Sequence, residues 1–400
     1  MKVSKKDFIN LSLLFDFKKE KQRYYYIVDK WGNIRWIFPD YLDKPTFLLT
    51  YNFGSFKAKL LKLFYTTAFF LGVKRFVTSG SFSASLKKKF NMTLSYLGCN
   101  RYSIFLGTPG ISRKAVIEVG KKSGTVAFVK IPLTGFSRKL VENERKILEY
   151  LSKYKFTNLV IPKVLLDCEG TVAISALKDI EKGRNLLNIE TSHLKALKEL
   201  YLCSSRKVKL SFIVKEIEEN LEKFIKFSQG QEVHILFAQL FDLLRLSLKF
   251  LRKFEFENIS VALGHRDFTP WNMFFFDGKI HLFDWELASF NTPLFFDFFH
   301  HLYQTNALIK NLQGKKLFSK VLSDIEKVEP YLSDWIEDIN LYHLLYLSIV
   351  SSFYLWNYYL STKIKDFTER NIFALKNWIF CLRQIIYIMG GNVEISKEIF

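Results

Sequence analysis

The sequence has few cysteines, and they are widely separated. The four are Cys99, Cys168, Cys203 and Cys381, with no paired spacing among them. Disulfide frameworks and cysteine-based zinc sites use regularly spaced cysteines, so the sequence predicts neither. This usage is typical of a reducing compartment, and we expect a cytoplasmic protein.

Long hydrophobic runs are also absent. The most apolar window, residues 63–73, has 11 residues between two lysines, which is too short to span a bilayer as a helix. The basic N-terminus precedes an apolar run, Phe8 to Phe15, that polar residues interrupt and Asp16 ends. No secretory signal is therefore expected. The sequence predicts a protein that is soluble or bound peripherally to the inner face of a membrane.

Acidic residues are outnumbered by basic ones. The chain has 59 Lys and Arg against 39 Asp and Glu, a net charge of +20, and its first 100 residues have 18 against 6. Such a field favours anionic partners, namely nucleotides, phosphorylated substrates, nucleic acids or anionic membranes, without choosing among them. No motif for nucleic-acid binding is present, so we expect no nucleic-acid partner.

Apolar residues are plentiful, at 49% of the chain, which is ample for a packed core. Three regions differ in pattern. Residues 1–95 are basic and aromatic with one helix near 55–76, residues 96–180 alternate strands and turns around one helix, and residues 181–400 show long helical patterns that are interrupted once. This predicts an α+β chain with an N-terminal extension or small α/β subdomain, a small antiparallel-sheet lobe and a helical lobe.

The interruption, residues 264–297, carries polar residues at fixed spacing. Asp277-Gly278 stands between two apolar runs and predicts a tight hairpin, because both central positions of a type I′ turn need positive φ. Asn272 enters this hairpin and Asp284 follows it, so we expect both at one end of the ladder, with Asp267 within reach. Phosphoryl transfer needs such a set: one carboxylate to accept a hydroxyl proton and oxygen ligands for Mg²⁺.

This segment resembles the catalytic and metal loops of the aminoglycoside/choline-kinase-like phosphotransferase family, relatives of protein kinases. The family pattern H-x-D-x-x-x-x-N runs from His265 to Asn272, and D-[WF]-[DE] is present at residues 284–286. Pro293 and Asp297 match the start of the family's next helix. Over about residues 96–350, the resemblance implies a bilobal protein-kinase-like fold and a kinase that uses ATP and Mg²⁺.

The resemblance also implies roles for single residues. Asp267 would be the catalytic base, and Asn272 and Asp284 would be the metal ligands. Asp297 would brace the backbone of the catalytic loop, and His265 would support that loop rather than react. Taken singly, each carboxylate could instead cap a turn or a helix, but that interpretation does not explain their joint spacing.

The upstream half shows a similar resemblance. Lys130 ends an apolar strand, as the phosphate-pairing lysine of kinases does, and Glu144 on the following helix would be its partner. A surface salt bridge is the alternative for both. Gly107 and Gly110 lie between strands and would cover the phosphates, but the segment lacks G-x-G-x-x-G, and an ordinary β-turn fits equally. Residues 176–179 would form the hinge, the segment whose backbone groups would contact adenine.

The resemblance implies transfer of the γ-phosphate of ATP to a hydroxyl of a small molecule. A cationic aminoglycoside would favour an acidic pocket, so the basic chain favours a sugar or a glycan precursor, including a lipid-linked glycan. A non-catalytic kinase-like scaffold at a membrane surface and a nucleic-acid-binding protein are the alternatives. Three histidines, His281, His300 and His301, are interpreted as core or solvent residues rather than metal ligands.

Residues 1–95 allow two interpretations. Aromatic residues, including Trp31 and Trp36, together with basic residues at both ends of the helix near 55–76, are typical of an element at an anionic membrane interface. The basic residues of that helix are Lys57, Lys59, Lys62, Lys74 and Arg75. Alternatively, the aromatic side chains pack in the core and the lysines face water.

Overall fold

The computed structural model describes residues 11–19, 21–50, 56–107, 109–168, 170–177, 182–332, 338–363 and 367–391. The chain divides into two compact units. Unit 1 comprises Met1–Lys155, Val160–Gly183 and Phe283–Glu286, and unit 2 comprises Phe156–Leu159, Arg184–Leu282 and Leu287–Phe400.

Unit 1 is built on an antiparallel sheet. Its strands are β1 (Phe15–Asp16), β2 (Gln22–Val28), β3 (Ile34–Pro39), β4 (Gly80–Leu86), β5 (Arg101–Leu106), β6 (Lys114–Lys121) and β7 (Gly124–Pro132), and, after the two-residue β8 (Leu159–Val160), β9 (Val164–Cys168) and β10 (Thr171–Ser175). The nine strands follow the order β1-β4-β2-β3-β5-β6-β7-β10-β9. Hairpins between consecutive strands generate half of the pairings in this order. At the turn between β2 and β3, Gly32 has φ 82°, which glycine adopts without steric cost.

Two hydrophobic clusters form because successive side chains of a strand point to opposite faces of a sheet. Ile37 of β3 belongs to the larger cluster, which also holds Phe90 of α2 (Lys88–Tyr96). Trp36 and Phe38 belong to the second cluster, with Phe69 of α1 (Phe56–Phe70). Short 3₁₀ turns at Thr46–Thr50 and Lys74–Phe76 flank α1.

Residues 1–95 contribute β1 to β4 to this sheet, so the boundary predicted near residue 95 lies within unit 1. Of the aromatic side chains that suggested a membrane interface, Tyr24, Tyr26 and Trp36 are buried, whereas Trp31 is exposed. Core packing therefore accounts for most of these aromatic residues. These buried aromatic side chains therefore do not support the predicted membrane role of residues 1–95.

The helix of unit 1 that carries Glu144 is α3 (Gly135–Leu151). It begins at a capping box, in which the Thr134 side chain accepts the backbone N–H of Ser137 and the Ser137 side chain accepts that of Thr134. Such a box satisfies two backbone donors that a helix start would otherwise leave unpaired. The buried face of α3 includes Leu140, Leu148 and Glu144 itself. A carboxylate on the buried face of a helix requires a charged partner.

Unit 2 is mainly helical. Its helices are α4 (Thr191–Leu202), α5 (Leu210–Ser228), α6 (Ile235–Leu251), α7 (Phe296–Gln304), α8 (Gly314–Leu332), α9 (Ile339–Lys363) and α10 (Glu369–Ile388), with short 3₁₀ turns at Arg252–Phe254 and Trp285–Leu287 (mostly within unit 1) and a π turn at Thr305–Ile309. Helix α9 packs against α5, α6 and α10, and its residues 341–352 are all buried, three serines included, as expected for a central helix.

Short strands interrupt these helices and carry the polar segment. They are β11 (Arg206–Lys209), β12 (Asn258–Gly264), β13 (Met273–Phe276), β14 (Lys279–Leu282) and β15 (Ser289–Pro293). β12 lies between β11 and β15, and β13 pairs with β14 in a hairpin. Asp277 and Gly278 at its tip have φ 49° and 74°, which confirms the predicted turn.

The predicted fold class is confirmed: the chain is α+β, with an antiparallel-sheet unit followed by a helical one. Within the part of the chain that the structure describes, no helix combines the length and the hydrophobicity needed to cross a membrane.

Candidate active site

The catalytic loop of unit 2 starts where β12 ends. A Cβ at Gly264 would come within 2.5 Å of the Thr292 side chain on β15, so the close approach of these strands requires glycine. The carboxylate of Asp297, in the first turn of α7, accepts the backbone N–H groups of His265 at 2.6 Å and of Arg266 at 2.7 Å. Asp297 is almost fully buried. It therefore fixes the backbone immediately before Asp267.

Arg266 holds an unusual conformation at this point. Its φ is 64°, which lies in a backbone region that residues other than glycine rarely occupy. Its guanidinium donates to Glu216 of α5 at 2.5 Å and lies 5.2 Å from the ring centroid of Phe296. The ion pair and the ring hold the side chain, while Asp297 holds the backbone. Strain of this kind persists only where surrounding contacts determine the conformation.

Asp267 is partly exposed in this loop. Its side chain is 31% exposed, whereas Phe268 and Thr269 are fully buried. The side-chain amide nitrogen of Asn272 donates to the Asp267 carboxylate at 2.7 Å and to its backbone carbonyl at 3.0 Å. On the other side, Nε2 of His300 lies 3.4 Å from Oδ1 of Asp267. The carboxylate is thus held from two directions while one face stays accessible.

Unit 1 holds a second cluster of charges. Nζ of Lys130 lies 2.7 Å from the carboxylate of Glu144 and 2.7 Å from Oδ1 of Asp284. The backbone N–H of Trp285 also donates to Glu144, at 3.3 Å. Lys130 and Glu144 are buried, while Asp284 is 32% exposed and has φ 69°. The predicted pair of Lys130 and Glu144 is a buried ion pair rather than a surface salt bridge.

Lys114 belongs to the same cluster and was not predicted. Its ammonium lies 3.5 Å from Asp284 and forms an ion pair with Glu286, whose backbone carbonyl accepts the side-chain amide of Asn143 at 3.0 Å. In the ladder between β6 and β7, Val116 lies opposite Lys130. Lys114 is two residues from Val116 and so points to the same face of the sheet as Lys130. This register is set by the pairing of the two strands and left no signal in the sequence spacing.

The charges of this cluster shift one another's pKa values. Burial disfavours the charged form of Lys130, but Asp284, Glu144 and Glu286 outweigh it and hold the pKa of the lysine above its ordinary value. Burial, together with the neighbouring Asp284, raises the pKa of Glu286 to about 7, although Lys114 and Lys130 act in the opposite direction. Lys130 therefore stays positively charged at neutral pH.

The predicted glycine loop forms the connection between β5 and β6. Gly107 donates its N–H to the carbonyl of Lys114 at 2.9 Å and accepts from Nε of Arg113 at 3.1 Å. A Cβ at Gly107 would lie 3.2 Å from that same carbonyl oxygen. The carbonyl of Gly110 accepts the N–H of Arg113 at 3.4 Å. Contact of Gly107 and Gly110 with phosphates stays a prediction.

Of the predicted hinge, Ala176 donates its N–H to the Val126 carbonyl at 2.9 Å. Residues 178 and 179 lie outside the described residues.

A cavity of about 360 Å³ lies within unit 2, with Asp267 on its wall. Its lining is mostly apolar and includes six aromatic side chains, and one cation contributes to it. The aromatic residues are Trp271, Tyr303, Tyr354, Tyr358, Phe373 and Trp378, and the other polar ones are Gln304, Arg370, Asn371 and Asn377. A concave, largely apolar site with a few polar groups is the usual form of a small-molecule pocket.

Comparison with known proteins identifies the family to which the chain belongs. Residues 110–315, more than half of the chain, match the phosphotransferase enzyme family. The protein belongs to that family. Its fold is accordingly protein-kinase-like, and its activity is transfer of a phosphoryl group, as the resemblance implied. No curated protein matches the sequence.

Several solved phosphotransferase structures are similar to this one. A complex of gentamicin with APH(2″)-IIa has 14% identity and a TM-score of 0.47, covering 74% of this chain and 96% of that one. The choline kinase LicA from Streptococcus pneumoniae has 17% identity and a TM-score of 0.46, covering 74% and 99%. Macrolide 2′-phosphotransferase type I has 13% identity and a TM-score of 0.44, covering 72% and 96%. At these low sequence identities, the similarity does not indicate which substrate this protein uses.

The phosphotransferase brings its predicted site residues together in two sets. Unit 1 joins Lys130, Glu144 and Asp284, and unit 2 joins Asp267 with Asn272 while Asp297 holds the loop. A joint metal site of Asn272 and Asp284 stays a prediction.

The three histidines that were weighed as metal ligands, His281, His300 and His301, are buried. Within the described ranges, no group of three or more His, Cys, Asp or Glu residues could hold a metal ion. The contact of His300 with Asp267 was not anticipated.

Proposed function

We propose that this phosphotransferase uses ATP and Mg²⁺ to phosphorylate a hydroxyl group of a sugar or a glycan precursor. The observation that carries the proposal is the position of Asp267. Its carboxylate is held by Asn272 and His300 and faces a cavity with aromatic walls. A fixed carboxylate on a pocket wall is suited to accept the proton of a bound hydroxyl.

The nucleotide side of the proposal rests on unit 1. Lys130 is a buried cation that Glu144 and Asp284 orient, which suits contact with phosphate oxygens. Asp284 and the side-chain oxygen of Asn272 would hold Mg²⁺, because hard oxygen donors fit this ion. The side-chain nitrogen of Asn272 donates both of its hydrogen bonds to Asp267. Among the described residues, no donor contacts the side-chain oxygen of Asn272. When bound, Mg²⁺ neutralises phosphate charge.

The acceptor side rests on the cavity. Aromatic walls offer broad apolar faces on which a sugar ring can stack. Arg370 adds a positive charge, and no described carboxylate pairs with it. A polycationic aminoglycoside or a quaternary amine would meet that charge unfavourably. Among the described residues, Asp267 is the one carboxylate in the lining, so this lining lacks the cluster of acidic groups that a polycation would need. The cavity therefore favours a hydroxylated ring that is neutral or carries one anionic group such as a phosphate or carboxylate.

A transfer screen tests the proposal. The purified protein is incubated with γ-labelled ATP and Mg²⁺ and with neutral sugars, sugar phosphates, uronic acids, choline, ethanolamine and aminoglycosides. We expect label on neutral or anionic sugars and none on the cationic acceptors. The Arg370→Gln variant should raise KM for an anionic sugar while leaving a neutral sugar unaffected. Transfer to cationic acceptors alone, or to no acceptor, would contradict the proposal.

A non-catalytic scaffold is the second candidate from the sequence. Against it stands the presence of all the predicted charged and polar groups, since Lys130, Glu144 and Asp284 form one cluster and Asp267 and Asn272 form another. We also propose that the protein is cytoplasmic and attaches peripherally to the inner face of the membrane. The support for attachment is the exposed apolar surface of α1.

A further inference from the structure

One stretch of unit 1 has no acidic residue at all. Between Asp43 and Glu118 the sequence holds 12 Lys and Arg and no Asp or Glu. Helix α1 lies in the middle of this stretch. Any surface that the stretch forms is therefore positive in character, and an anionic partner would meet no like charge from it.

Helix α1 is apolar on two opposite faces. Tyr65, Ala68 and Phe69 are buried and face the sheet. The opposite face carries Leu60, Leu63, Phe64 and Phe70, at helical spacing along the chain, and these are 49%, 63%, 54% and 87% exposed. A helix that packs on the core through one face normally carries polar residues on the opposite face, so a second apolar face is unusual.

The apolar surface continues beyond the helix. Leu71 is 63% exposed and Phe76 is 72% exposed. We call the set Leu60, Leu63, Phe64, Phe70, Leu71 and Phe76 the apolar stripe. Soluble proteins rarely expose contiguous apolar surface without a partner for it.

Basic side chains accompany the stripe. Lys62 on α1 is exposed, and so is Arg75, whose guanidinium lies 4.6 Å from the ring centroid of Phe76. Lys74 differs, because its ammonium donates to the carbonyls of Asp40 and Leu42 and so anchors the segment to unit 1. The side chains of Lys57 and Lys59 lie outside the described part of the chain.

We propose that the apolar stripe docks onto an anionic phospholipid bilayer, with α1 lying in the plane of the interface. The stripe would enter the boundary between headgroups and acyl chains, as amphipathic surface helices do. Lys62 and Arg75 would meet the acidic headgroups. Nucleic acid suits the charge but offers no apolar phase to receive aliphatic side chains. The docking goes beyond the phosphotransfer and does not depend on it.

Vesicle sedimentation of the full chain without nucleotide tests the docking. Vesicles of phosphatidylcholine alone are compared with vesicles that also contain phosphatidylglycerol. We expect binding to the anionic vesicles that falls as salt rises. The double variant Lys62→Gln, Arg75→Gln should bind roughly 25-fold more weakly, since each cation near an anionic surface is worth about 1 kcal/mol, or about fivefold. The double variant Phe64→Ser, Phe70→Ser should lose binding.

Matched variants on unit 2 control for the general effect of losing two positive charges or two exposed aromatic side chains. Lys215 and Lys226 are exposed, as are Phe212 and Phe256. The variants Lys215→Gln, Lys226→Gln and Phe212→Ser, Phe256→Ser remove the same side chains elsewhere and should bind vesicles like the wild type. Circular dichroism melting confirms that each variant is folded.

Three results would overturn the docking. The first is no vesicle binding by the wild type, and the second is equal binding by the stripe variants and their controls. The third is a dimer in light scattering that Phe64→Ser, Phe70→Ser dissociates, which would assign the stripe to a second copy of the chain. Phosphotransfer is measured separately on soluble acceptors, so failure of one proposal leaves the other intact.

Discussion

Nε2 of His300 lies 3.4 Å from Oδ1 of Asp267 and links α7 to the catalytic loop. The same helix supplies Asp297, whose carboxylate accepts backbone N–H groups from the residues just before Asp267. One helix therefore holds both the side chain and the backbone of the proposed base. Positioning of this kind matters because small displacements of a catalytic group cost large factors in rate.

The first prediction concerns Asp267. Replacing it with asparagine keeps its shape but removes the proton acceptor, so kcat should fall about 10²–10⁴-fold, the usual worth of general-base catalysis. ATP affinity, measured by calorimetry, should change little, because the residue faces the acceptor cavity.

The matched control is Asp277→Asn. Asp277 lies at the hairpin tip with φ 49°, a conformation that asparagine tolerates, so its kinetics should equal those of the wild type. Near wild-type transfer by Asp267→Asn would remove Asp267 from the role of base.

The polar segment was predictable because local rules fix it. Asp277-Gly278 determined the hairpin, and the order of Asp267, Asn272 and Asp284 along the chain indicated phosphoryl transfer. Lys114 and His300 were not predicted, because their contacts depend on strand register and on helix packing across distant parts of the chain. Sequence spacing carries little information about either.

The extent of the sheet was also not predicted. β4 and α2 lie in a stretch, residues 80–96, that was not assigned to the sheet. The strand alternation is present there, because serines alternate with the buried Phe82, Ala84 and Leu86, but the short α2 shows no clear helical period. Tertiary contacts such as the burial of Phe82 and Phe90 decide their structure.

The second prediction compares Asp284 with Asn272. Asp284→Asn should weaken Mg·ATP binding more than Asn272→Ala does, because a carboxylate loses more electrostatic attraction to a dication than an amide loses. Calorimetric titration with and without Mg²⁺ measures both. Equal and small effects would indicate that the hairpin and its flanks are only structural.

The third prediction concerns Asp297. Asparagine in its place offers one acceptor oxygen for two backbone N–H groups, so one buried donor loses its partner. The free energy of unfolding should fall by about 1–3 kcal/mol, and kcat should fall as well because the loop backbone loosens. Urea unfolding and steady-state kinetics check the two effects. Unchanged stability would show that the hydrogen bonds to His265 and Arg266 contribute nothing net.

The fourth prediction concerns acid sensitivity and the buried His193 of α4. Burial lowers the pKa of His193 to about 4, against about 6.5 in an unfolded chain. Between these values the unfolded state binds more protons than the folded state, so stability falls as pH drops from 6.5 towards 4. At pH 5 the penalty from this residue is about 2 kcal/mol.

Glutamine can replace His193 without loss of the helix start. Nδ1 of His193 accepts the backbone N–H of Glu190 at 3.0 Å in a capping box, and glutamine is an ordinary residue at that position of the box. His193→Gln should therefore reduce the loss of unfolding free energy between pH 7 and pH 5 by about 2 kcal/mol, as measured by urea unfolding. His234→Gln, which removes an exposed histidine at the start of α6, is the control. A pH dependence identical in His193→Gln and wild type would show that His193 does not contribute to acid destabilisation.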